Sequence, residues 1–263
     1  MIHSINPIIR QYDTGERPVL VTCSDGFDYV CKMPLYVGTP HKLVCEHIGN
    51  ALANCWELGN PVYSVVLIAA EHCSSINSRH VSQKLAVGSR FNPNVIDVTS
   101  VSQGGLVACP HTIRQLMETA LFDMWVANED RNANNYNLLF DFVESRFVPI
   151  DFGCIFNTAT FDCPLSQLTL SDSILYSDLF RHFVESSPSS LDAALLPGLR
   201  TNFEERITIC SKQRRQIVDS VPQEWHVSMQ LLENKLNELF SPAWTDAVWH
   251  NFTDTLDQSL TSS

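Results

Sequence analysis

Asp130, Asn135 and Asp151 are the residues of this chain whose types and order best match a chemical task. Asp130 stands five residues before Asn135 in the polar stretch Asn128-Glu-Asp-Arg-Asn-Ala-Asn-Asn135. Two short apolar runs follow, Tyr136 to Phe140 and Arg146 to Ile150, and the second leads into Asp151-Phe-Gly153. A carboxylate that accepts or orients a hydroxyl proton, with a neutral and a charged oxygen for magnesium, is the set that phosphoryl transfer needs. That chemistry asks little covalent help of a protein: phosphates held, metal fixed, nucleophile aligned. Gly153 frees the backbone to turn directly after the metal-ligand candidate Asp151. Each half of the pattern is short enough to recur by chance. A long amphipathic helix before it and a hairpin inside it argue for the pair.

A phosphate-binding cation is expected upstream. Lys32 ends the strand Tyr29-Val-Cys-Lys, and Glu46 on the following helix is the natural carboxylate to steady it, with Glu57 as a substitute from the helix end. Backbone amides of Thr22 to Gly26, with Ser24 and Gly26 at the turn, are the candidate nest over the phosphates. This stretch has a single glycine and is no G-x-G-x-x-G; an ordinary hairpin turn explains it equally well. Cys154, beside Asp-Phe-Gly, is expected as a small buried side chain rather than a nucleophile. No H-E-x-x-H, G-x-S-x-G or Walker A pattern is present.

The elements that must position these residues divide in two. Pro18–Cys23 and Phe27–Met33 read as a hairpin, Pro34 to Pro40 as a loop and His41–Leu58 as a helix stopped by Gly59-Asn60-Pro61. Val62–Ala70 and Lys84–Val87 read as strands, with the polar stretch Glu71–Gln83 unassigned between them. From Pro110 the pattern turns helical: Ile113, Leu116, Met117, Ala120, Leu121, Met124 and Trp125 form one apolar stripe. A loop runs from Phe156 to Ser171. Helices are then expected over Ser173–Val184, Ser189–Leu195, Asn202–Asp219, Gln223–Phe240 and Pro242–Ser259. The break falls near Gly88 to Gly105. Residues 1–90 are therefore expected as a strand-rich lobe and 91–263 as a mostly helical one, an α+β bilobal arrangement with a cleft between.

Bulk properties exclude some functions. The formal net charge is −12, which argues against nucleic acid or anionic membrane as main partner, since both need basic surface. Nine cysteines lack C-x-x-C pairing, as expected in a reducing cytoplasm. The N-terminal residues show no charged-then-apolar signal pattern, and no apolar run approaches the ~20 residues of a membrane span.

Asp130-Arg131 with Asn135, then Ile150-Asp-Phe-Gly153, resembles the HipA-like branch of atypical kinases. Its catalytic loop is similar to that of the phosphatidylinositol 3/4-kinases. These families carry Asp-Arg or Asp-Gly where classical protein kinases carry His-Arg-Asp, and here Glu129 precedes Asp130 and Arg131 follows it. The lack of Ala-Pro-Glu after Gly153 and the run Trp125-Val-Ala-Asn-Glu-Asp-Arg point the same way. The resemblance is strongest over Ile113–Phe156, extends to Val19–Gly59 and fades beyond Ser171. It implies a kinase-like bilobal fold, ATP with Mg²⁺, and a serine or threonine protein hydroxyl as acceptor. In it Asp130 matches the catalytic Asp, Asn135 and Asp151 the metal ligands, and Lys32 the phosphate-binding Lys. Some HipA relatives silence themselves by phosphorylating a serine in the phosphate-covering loop, a place Ser24 would take here. Full-length HipA toxins carry a further N-terminal subdomain, whereas this chain begins near the first kinase strand, so a toxin role and a regulatory protein partner stay open. The alternatives are a pseudokinase that binds nucleotide or a partner without transfer, motivated by the poor glycine turn, and a lipid kinase, which the acidic chain disfavours.

Overall fold

The computed structural model describes residues 1–34, 40–73, 84–101, 105–106, 108–188 and 194–261. Period-two burial sets the geometry of its first half. In β4 (Asp28–Lys32), Tyr29 and Cys31 are buried on one face while Val30 and Lys32 lie on the other. β4 pairs antiparallel with β3 (Val19–Thr22) on one side and β6 (Lys84–Arg90) on the other. The full sheet runs β1-β5-β6-β4-β3-β2, with β1 (Ile2–His3), β2 (Arg10–Gln11) and β5 (Tyr63–Ile68). Only β1 against β5 is parallel among these pairs.

The two faces of this sheet bury different things. Val19, Val21, Tyr29, Cys31, Val66, Ile68 and Ala86 form a small cluster of their own. Leu85 and Val87 of β6 join the large core instead, together with Leu43, Ile48, Leu52 and Trp56 of α1 (Pro40–Trp56). Val87 is the cross-strand partner of Lys32. The register therefore turns Lys32 toward α1 rather than into the small cluster.

α2 (Pro110–Val126) is the central helix of the second half, buried along most of its length. Pro110 occupies its first turn, where no intrahelical donor is lost. Ala127 ends it in the left-handed conformation, at φ 52°. Trp125 Nε1 donates to Leu239 O and Trp244 Nε1 to Trp125 O, which ties α2 to α6 (Met229–Leu239) and α7 (Pro242–Thr261). Beyond α2, β8 (Leu138–Asp141) and β9 (Arg146–Pro149) form a hairpin, and β7 (Val95–Asp97) adds to its edge. Then come α3 (Ile155–Ala159), α4 (Asp178–Ser186) and α5 (Leu195–Asp219). The structure is thus mixed, 51% helix and 17% strand, with the main sheet first and a mostly helical part after it.

Several expected boundaries move for local reasons. The expected helix Ser173–Val184 becomes one short 3₁₀ turn, Ile174–Tyr176, and then α4, because Ser177 caps a fresh start by accepting from Phe180 N. The expected helix Gln223–Phe240 is interrupted where His226 adopts φ 50° and Ser228 caps α6. Most of the expected helix at 189–195, the interior of the loop at 34–40 and much of 71–83 lie outside the described residues. Among the described residues no helix is long and apolar enough to cross a membrane, and all nine cysteines carry free thiols.

α1 approaches Phe152 closely at Gly49, where a methyl group would collide with Phe152 Cβ and lie 2.9 Å from Cγ. Alanine gains about 1 kcal/mol of helix propensity over glycine, but forcing an extra carbon into a packed core costs about 1–3 kcal/mol. With the backbone of α1 and a fully buried ring on either side, the clash wins. Gly49→Ala should lower stability in urea unfolding by about 1–2 kcal/mol. Gly15→Ala, with nothing within 4 Å, should leave it within about 0.5 kcal/mol.

Candidate active site

The Lys32 ammonium lies 2.6 Å from Asp151 Oδ1, 2.9 Å from Glu46 Oε2 and 3.0 Å from Glu16 Oε2. Residues 119 apart in the chain meet here, each delivered by a different element. Lys32 comes from the end of β4, Glu46 from α1, and Asp151 from the residue pair after β9. Glu57, the substitute partner, instead pairs with Arg206 at 2.7 Å and takes no part.

Glu46 is fixed on all sides. Its Oε2 also accepts from Phe152 N at 2.9 Å, and its Oε1 from Asn50 Nδ2 at 3.0 Å. Burial pushes the Glu46 carboxyl upward, and Lys32 pulls against it. Asp151 shows the opposite outcome: burial works against its charge, but Lys32 and the Gly153 N–H hold its carboxyl below the usual range. Burial likewise opposes the charge on Lys32, yet the three carboxylates, Asp151 foremost, keep the ammonium protonated well above its ordinary value.

Asp151 has φ 61°, a left-handed backbone uncommon for a residue with a side chain. The next two residues hold it there, since Phe152 is fully buried and Gly153 N bonds back to Asp151 Oδ1 at 3.3 Å. The conformation leaves Asp151 Oδ2 without a hydrogen bond among the described residues.

Asp130 is brought alongside by a buried device that sequence reasoning missed. Asp123, on the last turn of α2, accepts from Arg131 Nε at 2.8 Å and from Asn128 Nδ2 at 2.9 Å. Arg131 is completely buried and also donates to the carbonyls of Tyr136 and Asn137. Desolvation pushes the Asp123 carboxyl up to about 6, with Arg131 drawing it back. The available signal was an acid between Phe122 and Met124, inside an apolar run where an unpaired charge is not tolerated. Ile150 N then donates to Asn137 O at 3.0 Å, which joins the loop to the strand that carries Asp151. Cys154 feels the charges of both Asp130 and Asp151, and burial pushes its thiol up to about 11, unsuited to a nucleophile.

Two further placements matter. Asn137, not Asn135, bonds Asp130: its Nδ2 donates to Asp130 Oδ2 at 3.0 Å. Asn135 is exposed, its backbone closing a tight bridge with Asn132, and its side chain makes no hydrogen bond among the described residues. Ser24 and Gly26 do not join the cluster. They form the β3–β4 turn, and β4 alone separates that turn from Lys32 by about 13 Å. The connection at Lys32's end of the sheet is the one from β2 to β3, which supplies Glu16.

Behind Asp-Phe-Gly the chain makes one left-handed turn, with positive φ at Phe156, Asn157, Thr158 and Ala159. Such a turn costs roughly 1–2 kcal/mol per residue and needs external support. Glu129 gives it, accepting from Asn157 Nδ2 at 2.9 Å and Thr158 Oγ1 at 2.7 Å. The residue before Asp130 thus clamps the segment after Asp-Phe-Gly to the loop. A recess of about 460 Å³ elsewhere, lined by His47, Tyr63 and Ser220 among others, contains none of these groups.

The free oxygens on Asp151 and Asn135 are hard, partly exposed donors, and no group of three His, Cys, Asp or Glu side chains among the described residues could hold a metal alone. Each is the type of oxygen that Mg²⁺ takes, one or two from protein with phosphate and water completing the shell.

Removing the cation should reverse the local pH response. The lowered Asp151 carboxyl contributes stability above its unfolded pKa and loses it as pH falls through the folded value. In Lys32→Met, Glu46 and Asp151 face one another without the cation between them, and their folded pKa values rise. Their contribution is then present at low pH and lost as pH rises. The variant should be about 2–3 kcal/mol less stable than the parent at pH 8, partial exposure being allowed for. The gap should narrow toward pH 4; equal urea midpoints at both pH values would refute the charge account.

No curated protein matches the chain. A family model described as HipA-like kinase matches residues 5–248. The chain belongs to the HipA-like kinase family.

Proposed function

We propose that this protein is an ATP-dependent serine/threonine protein kinase using Mg²⁺. Membership of the family supports a kinase-type phosphotransferase. The observation that carries the reading to residues is the convergence of Lys32, Glu46 and Asp151, which lie far apart in sequence, beside the loop bearing Asp130.

In this reading the Lys32 ammonium binds the α- and β-phosphates, and Glu46 holds it at the height they require. Asp151 Oδ2 and the Asn135 amide oxygen hold the magnesium, which when bound neutralises charge on the β- and γ-phosphates. Asp130 accepts the proton of the attacking hydroxyl or orients it, and Asn137 fixes the rotamer of Asp130. Burial of Arg131 against Asp123 keeps the loop at one distance from Asp151. The Glu129 clamp presents the segment after Asp-Phe-Gly as one wall of the acceptor site. The acceptor is a protein hydroxyl, and the free thiols support a cytoplasmic setting.

A second reading, a nucleotide-binding pseudokinase, is favoured by one observation, the Glu16 carboxylate on Lys32. Radiolabelled γ-phosphate transfer separates the two. Asp130→Asn and Asp151→Asn should each cut autophosphorylation and transfer to a generic basic protein by at least ~10²-fold, with thermal stability near that of the parent. Unchanged transfer in both would remove the assignment.

The two asparagines should differ in kind. Asn135→Ala should raise the Mg²⁺ concentration needed for half-maximal transfer. Asn137→Ala should lower kcat by ~10-fold without moving that requirement. The reverse result would exchange their roles.

A further inference from the structure

We propose that Glu16 is a displaceable counter-anion, seated on Lys32 where a nucleotide phosphate would sit, so that phosphate binding and release of the β2–β3 connection are one event. The inference rests on the reading of Lys32 as the phosphate-binding cation.

An ammonium has three N–H donors and no more. On Lys32 three carboxylates lie within 3.0 Å: Glu46 and Asp151 accept hydrogen bonds from it, while Glu16 Oε2 is buried in ionic contact without a hydrogen bond, so the place an incoming phosphate oxygen would take is the one Glu16 fills. Glu46 is the worst candidate to leave. Its side chain is 4% exposed and held additionally by Asn50 and the Phe152 amide. Asp151 is locked by the Gly153 amide and by the buried Phe152 ring next to it.

Glu16 has neither kind of anchor. Its other contact is Lys42 Nζ at 3.8 Å, on the first turn of α1 and one-third exposed. The connection that carries it, residues 12–18, hangs from β2, an exposed two-residue strand at the sheet edge that among the described residues pairs only with β3. Gly15 has open space around it, and Arg17 takes φ 45°. Few buried contacts hold this segment, so its opening is the least costly rearrangement in the site. A triphosphate also brings like charge to Glu16, which drives the same movement, and Lys42 offers the departing carboxylate a second, more solvated cation.

The test is isothermal titration of the parent and of Glu16→Gln with MgATP, inorganic tripolyphosphate and adenosine. The variant should bind both phosphate compounds ~10-fold more tightly and adenosine equally well. In a turnover assay its KM for ATP should fall while kcat holds. A gain of the same size in a Lys32→Met background would mean that only net charge had changed, and would overturn the proposal. Unchanged or weaker tripolyphosphate binding in both Glu16→Gln and Glu16→Ala, each shown folded by urea unfolding, would also overturn it. If tripolyphosphate binding tightens but ATP binds neither protein, the counter-anion stands and the nucleotide reading falls.

Discussion

One ammonium organises this molecule. Lys32 is the meeting point of the main sheet, helix α1 and the strand end that carries Asp151, and the three elements share no other charged contact of comparable burial among the described residues. A buried cation cannot be left with fewer partners than its charge demands, and buried carboxylates cannot be left without it. That mutual requirement sets the height of α1 against the sheet. Glu46 transmits the constraint directly, because the same oxygen that takes Lys32 also takes the Phe152 amide. Phe152 then packs against Gly49 of the same helix and against Phe122 of α2. Charge pairing and close packing thus specify one arrangement of the site.

A second buried pair plays the corresponding part for the loop that bears Asp130. Asp123 and Arg131 are both almost fully buried, and their pairing bends the chain back onto the end of α2, so that Asp130 emerges beside the strand leading to Asp151. The two pairs differ in permanence. Asp123 and Arg131 are sealed from solvent, whereas Lys32 is 14% exposed and one of its three carboxylates sits on an edge connection. The Asp123–Arg131 pair is enclosed, and the Lys32 cluster keeps one side open to solvent.

Much of this was legible beforehand. The hairpin that ends in Lys32, the helix with Glu46, the apolar stripe of α2 and the Asp130-to-Asp151 order follow from periodicity and spacing, and the family match over residues 5–248 agrees with them. Glu16 was not legible, because it lies in a polar stretch with no periodicity, and its role depends on which end of a strand faces which loop. Ser24 and Gly26 drew attention through composition, the usual sign of a turn, but composition does not say at which end of the sheet a turn stands. The left-handed turn after Asp-Phe-Gly contains no glycine in its Phe156–Ala159 core; hydrogen bonds that Asn157 and Thr158 donate to Glu129 stand in for the expected residue type.

The sequence by itself determined the element types, the two-part order and the candidate chemistry, because these depend on local periodicity and on short-range spacing along one chain. Only the tertiary structure decided the partners. Whether Glu46 or Glu57 meets Lys32, whether Asn135 or Asn137 touches Asp130, and which loop reaches the ammonium are questions of register and crossover. Their answers come from burying both faces of a sheet and one side of α1 at the same time, a condition that no local segment can express.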